Sequence, residues 1–273
     1  MPNINSVDTM GEELKVYLKG EVDLKEEIDF LSTGIPEVDR FIELPYGSTS
    51  MFFGPPFSGK TAFCLSIAIN ETIKGKRVLY IDTENGVFPA RIRKMIENRT
   101  STSLENFKLL KLYTLNEILK IAAGTLNGYD VVIIDSFSRP FLKDLHARSK
   151  RELEEKYQQR MLKVYDVLTD IASVVYDENK SLILVSEIKK IKKLGSRRDI
   201  KLLNFDLPFA NLLYLAKNAY GLVIYDEARI LFIDRHQFKP SFYEDPKVLV
   251  FEIEDKGIKY VKEGKFTEEG LAL

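Results

Sequence analysis

Short apolar runs alternate with longer amphipathic segments along most of the chain. The runs fall at residues 48–53, 77–82, 131–134 and 182–185, and each is bounded by polar or turn-forming residues. A long helical stripe separates the last two runs, with apolar side chains at Leu153, Tyr157, Met161, Val164, Leu168, Ile171 and Val175. Strands that alternate with helices predict an α/β fold with a mostly parallel, twisted sheet flanked by helices.

The remaining segments extend this pattern in both directions. Further helices are predicted at residues 62–73, from Pro89, from Leu115 to Gly128 and from Leu207 to Asn218, and a short strand at residues 109–112. Short strands near residues 222–225, 230–233, 248–253 and 258–261 predict a C-terminal β meander. Since residues 1–30 show no strong core periodicity, we interpret them as an arm and residues 31–273 as one domain.

The most informative stretch joins the first buried run to the helix that follows it. It reads Gly54-Pro55-Pro56-Phe57-Ser58-Gly59-Lys60-Thr61-Ala62, which contains the G-x-x-x-x-G-K-T spacing of a phosphate-binding loop. Glycines let backbone N–H groups approach a polyphosphate, a lysine reaches its phosphates, and a threonine hydroxyl holds Mg²⁺. The alternative is a chance match at a helix start, but the preceding strand and the following helix favour a polyphosphate site. We expect the Lys60 side chain to face solvent at this loop.

Acidic residues follow the predicted strands at their carboxyl ends. Asp82-Thr83-Glu84 ends one strand, Asp135 ends another after four apolar residues, and Glu187 follows a third. The carboxyl ends of parallel strands face the ligand crevice, so these side chains are predicted to lie near the phosphate loop. We interpret Asp135 as a ligand of Mg²⁺ or of its water. The alternative, that Asp135 caps the next segment, stays open.

Composition and charge narrow the class of protein. With 45% hydrophobic and 30% charged residues the chain is predicted to be soluble and globular. No apolar run approaches the length of a membrane span, and no cationic-apolar leader precedes residue 30, so we expect a cytoplasmic protein. Cys64, on the apolar face of the helix at 62–73, is interpreted as a packed core thiol.

Positive charge is concentrated in one segment, although the net charge is −1. Between Lys189 and Lys201 the chain carries seven basic side chains and one acidic side chain. A cationic segment of this kind binds a nucleic-acid backbone by releasing counterions and does not read bases. The alternative is a solvated loop that opposes the acidic arm.

The ordered set of motifs resembles the ATPase core of the RecA superfamily, in particular archaeal RadA and its core-only paralogues of the RadB type. The likeness spans residues 31–262 and includes Ser32-Thr33-Gly34-Ile35-Pro36, the phosphate loop, Tyr80-Ile81-Asp82-Thr83-Glu84, the strand ending at Asp135 and the meander. It implies ATP and Mg²⁺ as cofactors and slow or partner-stimulated ATP hydrolysis. Where the family has a glutamine that senses the terminal phosphate, this chain has Glu187.

The resemblance also assigns residue roles. It implies that Glu84 activates the attacking water, that Lys60 is catalytic, and that Arg91 stacks on adenine, with a solvated helix arginine as the alternative. Arg235 or Lys239 would act on a neighbour's nucleotide, with a plain surface charge as the alternative for either residue. The family's second DNA-binding loop falls on Lys189, Lys190, Lys192, Lys193, Arg197 and Arg198, with a companion loop at Arg139, Arg148, Lys150 and Arg151.

These features predict a recombinase paralogue that binds single-stranded DNA and modulates homologous recombination and repair. Its partners would include a RadA-type recombinase or other repair proteins, and it could form a homo-oligomer. One alternative is a KaiC-like regulatory ATPase that acts through protein partners without DNA. Another is a module that holds ATP structurally without turnover.

Overall fold

The computed structural model describes residues 28–97, 104–125, 128–143, 149–188, 216–267 and 270–272. The predicted arm at residues 1–30 lies outside these ranges except for its last three residues, and so does the whole basic segment at residues 189–198. Within the described ranges, no helix combines the length and the apolar character needed to cross a membrane.

Strands and helices alternate through residues 28–188, and the described residues from 216 onwards form strands. The strands are β1 (Phe30–Leu31), β2 (Leu44–Pro45), β3 (Ser48–Gly54), β4 (Val78–Asp82), β5 (Phe107–Lys111), β6 (Val131–Asp135), β7 (Ser181–Glu187), β8 (Asn218–Tyr225), β9 (Ala228–Arg235), β10 (Lys247–Glu254), β11 (Gly257–Thr267) and β12 (Gly270–Ala272). The helices are α1 (Pro36–Ile42), α2 (Lys60–Ile73), α3 (Pro89–Ile96), α4 (Leu115–Thr125), α5 (Ser138–Leu142) and α6 (Lys150–Asp177).

One ten-stranded sheet contains every strand except the small β1–β2 pair, in the order β12-β11-β10-β9-β8-β3-β7-β6-β4-β5. The strands from β5 to β8 in this order run parallel to one another. Those from β8 to β12 form an antiparallel meander. The carboxyl ends of β3, β4, β6 and β7 therefore meet at one edge of the parallel part.

Both faces of the sheet are covered by apolar side chains. Successive strand side chains point to opposite faces, so Met51 and Phe53 in β3 pack on the face covered by α4 and α6. Phe52 packs on the other face, against α1, α2 and α3. Because the inner strands β4, β6 and β7 are buried on both faces, each reads as a nearly continuous apolar run rather than an alternation.

The predicted fold class is confirmed: the protein is α/β with a mostly parallel sheet and a C-terminal meander. The predicted helix from Leu207 to Asn218 is wrong at its end, because Asn218 begins β8 and pairs with Ser50 of β3. The Asn218 amide reaches the Ser48 hydroxyl at 3.2 Å, a cross-strand contact that helical periodicity does not reveal. Residues 207–215 of that prediction lie outside the described ranges. The short helix α5 and the strand β12 were not predicted.

Candidate functional site

The predicted phosphate loop joins β3 to α2, and both of its glycines are required by packing. Gly59 precedes α2 with a φ of 106°, in the left-handed region that glycine adopts without steric cost. A Cβ atom on Gly54 would lie 2.0 Å from the Leu222 carbonyl oxygen in β8. On Gly59 it would lie 2.9 Å from the Phe251 ring. Packing against the meander therefore constrains the shape of the phosphate loop.

The Lys60 side chain is buried, so the expectation that it faces solvent is wrong. Its amino group donates to the carbonyl oxygens of Gly54 at 3.0 Å and Pro55 at 2.8 Å, and only 7% of the residue is exposed. The loop folds over the side chain, which explains the burial. Burial lowers the pKa of Lys60, and the nearby carboxylates of Glu187, Asp135 and Glu84 act in the opposite direction.

Asp135 lies at the carboxyl end of β6 and is almost fully buried. The Tyr80 hydroxyl donates to its Oδ2 atom at 2.6 Å, and the Thr61 side chain hydrogen-bonds to it as well. Burial raises the pKa of Asp135, whereas the hydrogen bonds from Tyr80 and Thr61 lower it. The structure thus brings together the two side chains that the sequence predicted for Mg²⁺.

Thr61 and Asp135 fit a magnesium ion shared with a polyphosphate. Mg²⁺ takes one or two protein oxygens and completes its octahedron with phosphate oxygens and water. The described part of the chain contains no group of three or more His, Cys, Asp or Glu residues able to hold a metal ion by itself. The Ser58 hydroxyl in the loop is buried and has no hydrogen-bond partner among the described residues. A polar group of this kind is suited to contact a bound ligand.

Glu84 is held by a turn built around Asp82, whose role the sequence analysis missed. The Asp82 carboxylate accepts backbone hydrogen bonds from Glu84 at 3.1 Å, Gly86 at 3.2 Å and Val87 at 2.9 Å. Asp82 is 1% exposed, so these bonds also satisfy a buried charge. The available sequence signal was a carboxylate two residues before the candidate base, because Asp side chains commonly accept hydrogen bonds from backbone N–H groups a few residues later in the chain.

The segment after β6 contacts the carboxylates on both sides of it. The Ser136 hydroxyl donates to Glu84 Oε1 at 2.5 Å. Arg139 Nε lies 3.4 Å from Glu84 Oε2 and 3.7 Å from Glu187 Oε2. Arg139 was assigned to a companion DNA-binding loop, but its guanidinium lies beside the carboxylates of the phosphate site.

The other predicted residues lie apart from this cluster or outside the described ranges. Arg91 is half-buried in the first turn of α3. Lys150 and Arg151 in α6 form ion pairs with Glu154 and Glu155 on the same helix. Lys239 pairs with Glu43 at 3.0 Å and donates to the carbonyl oxygens of Arg40 and Phe41, which gives it an internal role. Cys64 is fully buried, as predicted, and burial raises the pKa of its thiol.

Comparison with known proteins identifies the family. Residues 21–168 match the model described as an AAA domain. The chain is 26% identical over 243 residues to the DNA repair and recombination protein RadB of Pyrococcus furiosus, covering 86% of this chain and 97% of that protein. It is 24% identical over 246 residues to the RadB of Thermococcus sibiricus, covering 88% and 100%. A mouse protein, DNA repair protein RAD51 homolog 4, is 28% identical over 134 residues, covering 42% of this chain and 41% of that protein.

A solved structure supports the fold. The crystal structure of the RadB recombinase superposes with a TM-score of 0.65 at 22% sequence identity, covering 85% of this chain and 100% of that chain. The AAA-domain match spans more than half of the 273 residues. The chain therefore belongs to the AAA-domain family and is a RadB-like protein with the ATPase core of the RecA/RadA group.

Proposed function

We propose that this protein binds and hydrolyses ATP, binds single-stranded DNA, and acts in homologous recombination and repair. The RadB relatives carry names that specify DNA repair and recombination. The phosphate loop and the carboxylates beside it support the nucleotide part of the proposal. The charge of residues 189–198 supports the DNA part.

One observation carries the ATPase proposal: Lys60 lies among carboxylates from three neighbouring strands. Glu84 follows β4, Asp135 ends β6 and Glu187 ends β7, and all three act electrostatically on the Lys60 amino group. A cation buried beside several carboxylates is unusual in a structural core, where each charge must be paired. It is typical of sites where phosphate, metal and a general base have to meet.

The chemistry follows from these positions. Lys60 would exchange its contacts with the loop carbonyls for phosphate oxygens, and the N–H groups at the start of α2 would bind the same phosphates. Mg²⁺, held by Thr61 and Asp135, supplies charge neutralisation when it is bound. Glu84, oriented by Asp82 and Ser136, would accept a proton from the attacking water. Arg91 would stack on adenine. We expect the basal turnover to be slow or to depend on a partner.

DNA would bind through Lys189, Lys190, Lys192, Lys193, Arg197 and Arg198. Lysine and arginine side chains that contact the phosphate backbone release its bound counterions. The affinity for DNA therefore falls steeply with salt concentration and differs little among DNA sequences. The natural protein partners of such a core would be a recombinase of the RadA type or further copies of this chain.

Two alternatives make different predictions. A KaiC-like regulatory ATPase would use the same phosphate site and would not respond to DNA. A structural ATP binder would retain the nucleotide without turnover. The hydrogen bonds that hold Glu84 in place favour catalysis over structural binding.

A salt titration of single-stranded DNA binding, with and without Mg·ATP, separates these readings. We expect log affinity to fall linearly with log salt, and a variant with the six basic residues changed to glutamine to show a flatter slope and weaker binding. A matched control changes to glutamine six exposed lysines in the meander or, for Lys94 in α3, next to it: Lys94, Lys247, Lys256, Lys259, Lys262 and Lys265. The control should bind DNA like the wild type. Absence of DNA binding by the wild type at low salt would overturn the DNA proposal and favour the regulatory ATPase.

A further inference from the structure

We propose that Arg139 is a positioning residue that neutralises Glu187 and holds Glu84, so that the site accepts the triphosphate of ATP. The inference rests on the proposed ATPase function and adds to it a residue whose charge sets nucleotide affinity. Its basis is the position of one arginine between two carboxylates at the carboxyl ends of the parallel strands.

The sheet order places Arg139 between its partners. β6 lies between β7 and β4, and Arg139 follows β6 by four residues. Its Nε atom lies within 4 Å of both Glu84, after β4, and Glu187, at the end of β7, with distances of 3.4 Å and 3.7 Å. A residue of α5, just after the middle strand, therefore bridges carboxylates at the carboxyl ends of the two flanking strands.

Two serines of the same short segment fix this arrangement. The Ser136 hydroxyl donates to Glu84, and the backbone N–H of Glu187 donates to the Ser138 hydroxyl at 2.9 Å. Ser136 and Ser138 are both buried, so the segment presents a fixed set of polar contacts on either side of β6. The Arg139 guanidinium lies within ion-pair distance of both carboxylates.

The ion pairs of Arg139 with Glu84 and Glu187 contribute little to the free energy of folding. The Arg139 side chain is 61% exposed, and those of Glu84 and Glu187 are 24% and 25% exposed. Ion pairs with this much solvent contact contribute little to stability. If the bridge were only structural, its loss would be close to neutral in every measurement.

The bridge matters for the electrostatics of a phosphate ligand. Three carboxylates already act on Lys60, and a triphosphate adds several further negative charges to the same space. A carboxylate beside a phosphate oxygen is repelled, most strongly where water is partly excluded. Arg139 offsets the Glu187 charge, and its planar set of donors can contact a carboxylate and a phosphate oxygen together.

The test measures the binding of magnesium with a non-hydrolysable ATP analogue by calorimetry, together with the nucleotide-free thermal midpoint. We expect Arg139→Ala to weaken binding about tenfold, the effect of losing one charge at close range. Glu187→Gln added to Arg139→Ala should restore affinity to within about twofold. Arg139→Lys should keep most of the affinity, and no variant should lower the midpoint appreciably.

A matched control is Arg77→Ala. Arg77 pairs with Asp130 at 3.4 Å and is similarly exposed, but it lies before β4 at the opposite edge of the sheet. This variant should bind the analogue like the wild type. Unchanged affinity in Arg139→Ala, or a double variant no better than Arg139→Ala alone, would overturn the inference while leaving the ATPase proposal intact. Failure of the wild type to bind the analogue would instead overturn the ATPase proposal.

Discussion

The parallel half of the large sheet and its antiparallel half differ in where they place polar side chains. In the parallel half, strand ends that point the same way place Glu84, Asp135 and Glu187 at one edge, around Lys60. In the antiparallel half, consecutive strands end at opposite edges, so polar side chains are not gathered in one place. Its interior is aromatic, with Phe232 and Phe266 each packed against Phe242 at centroid distances of 5.2 and 6.0 Å.

The halves are not independent, because the meander touches the phosphate loop. The Leu222 carbonyl lies against Gly54, and the Phe251 ring lies against Gly59. Strand direction therefore gathers the charged side chains of the candidate site in the parallel half. The packing of the antiparallel half shapes the phosphate loop that these side chains surround.

The largest effect is expected from Glu84→Gln in the parallel half. The amide keeps the shape of the side chain and removes its ability to accept a proton, so hydrolysis should fall by about a hundred- to ten-thousandfold. ATP affinity and the thermal midpoint should stay near wild-type values. Steady-state turnover and calorimetric binding measure the two properties, and Glu263→Gln, an exposed glutamate of β11, is the control. Normal turnover in Glu84→Gln would move the base to another carboxylate, with Glu187 the first to test.

Phe232→Ala should have the opposite profile. Phe232 is fully buried between Phe53 and Phe242, and removing a buried ring costs about 3–5 kcal/mol of unfolding free energy. Denaturant titration measures the loss, and Phe238→Ala, at 52% exposed, is the control. Where the variant remains folded, it should still bind ATP. A loss of ATP binding without a loss of stability would contradict the division between the halves.

Sequence patterns predicted the parallel half well because its signals are local. Each buried run is continuous, each helix is amphipathic, and the phosphate-loop spacing is specific for a strand, a loop and a helix. The carboxylates could be placed because Asp135 ends a parallel strand and Glu84 follows one, and the carboxyl ends of parallel strands face the same crevice. These inferences needed no contact between distant residues.

The remaining features depend on contacts that sequence spacing does not encode. The burial of Lys60 comes from the loop carbonyls closing over it. The bridge from Arg139 depends on the strand order, which places β6 between β4 and β7. The requirement for Gly54 comes from β8, more than 160 residues later in the chain. Such features follow from topology and appear only when the sheet is assembled.

Glu71→Gln should show that not every polar group of the parallel half acts on the ligand. The fully buried Glu71 carboxylate in α2 accepts from the Ser32 N–H at 2.8 Å, the Tyr46 hydroxyl at 2.5 Å and the Lys74 amino group at 2.8 Å. An amide cannot satisfy all three donors, so we expect a loss of about 1–3 kcal/mol in unfolding free energy. Turnover per folded molecule should be unchanged, as measured beside Glu37→Gln, a half-buried glutamate of α1 that serves as the control.

The smallest effect concerns His236, after β9. Its Nδ1 atom accepts from the N–H groups of Phe238 and Lys239, and Nε2 lies 3.0 Å from the carbonyl oxygens of Ile42 and Glu43. This set of partners fits the neutral ring with its proton on Nε2. Burial lowers the pKa of His236 in the folded protein, although its two carbonyl partners act in the opposite direction.

The sign of the resulting pH dependence is fixed. The unfolded chain takes up this proton first, at a pH of about 6.5, so stability is full above that pH and falls as the pH drops towards the folded value. The thermal midpoint of the wild type should therefore decrease more between pH 7.5 and pH 5.5 than that of His236→Gln. Equal decreases in the two proteins would remove His236 from the explanation.

The thermal shift caused by Mg·ATP in the wild type and in Lys60→Ala tests the central claim most directly. A ligand that binds only the folded state raises the midpoint in proportion to the logarithm of its concentration above Kd. We predict a clear, concentration-dependent shift for the wild type and little or none for Lys60→Ala, with both proteins folded and similar in midpoint without nucleotide. An equal shift in the two proteins would contradict the assignment of the nucleotide site to the phosphate loop.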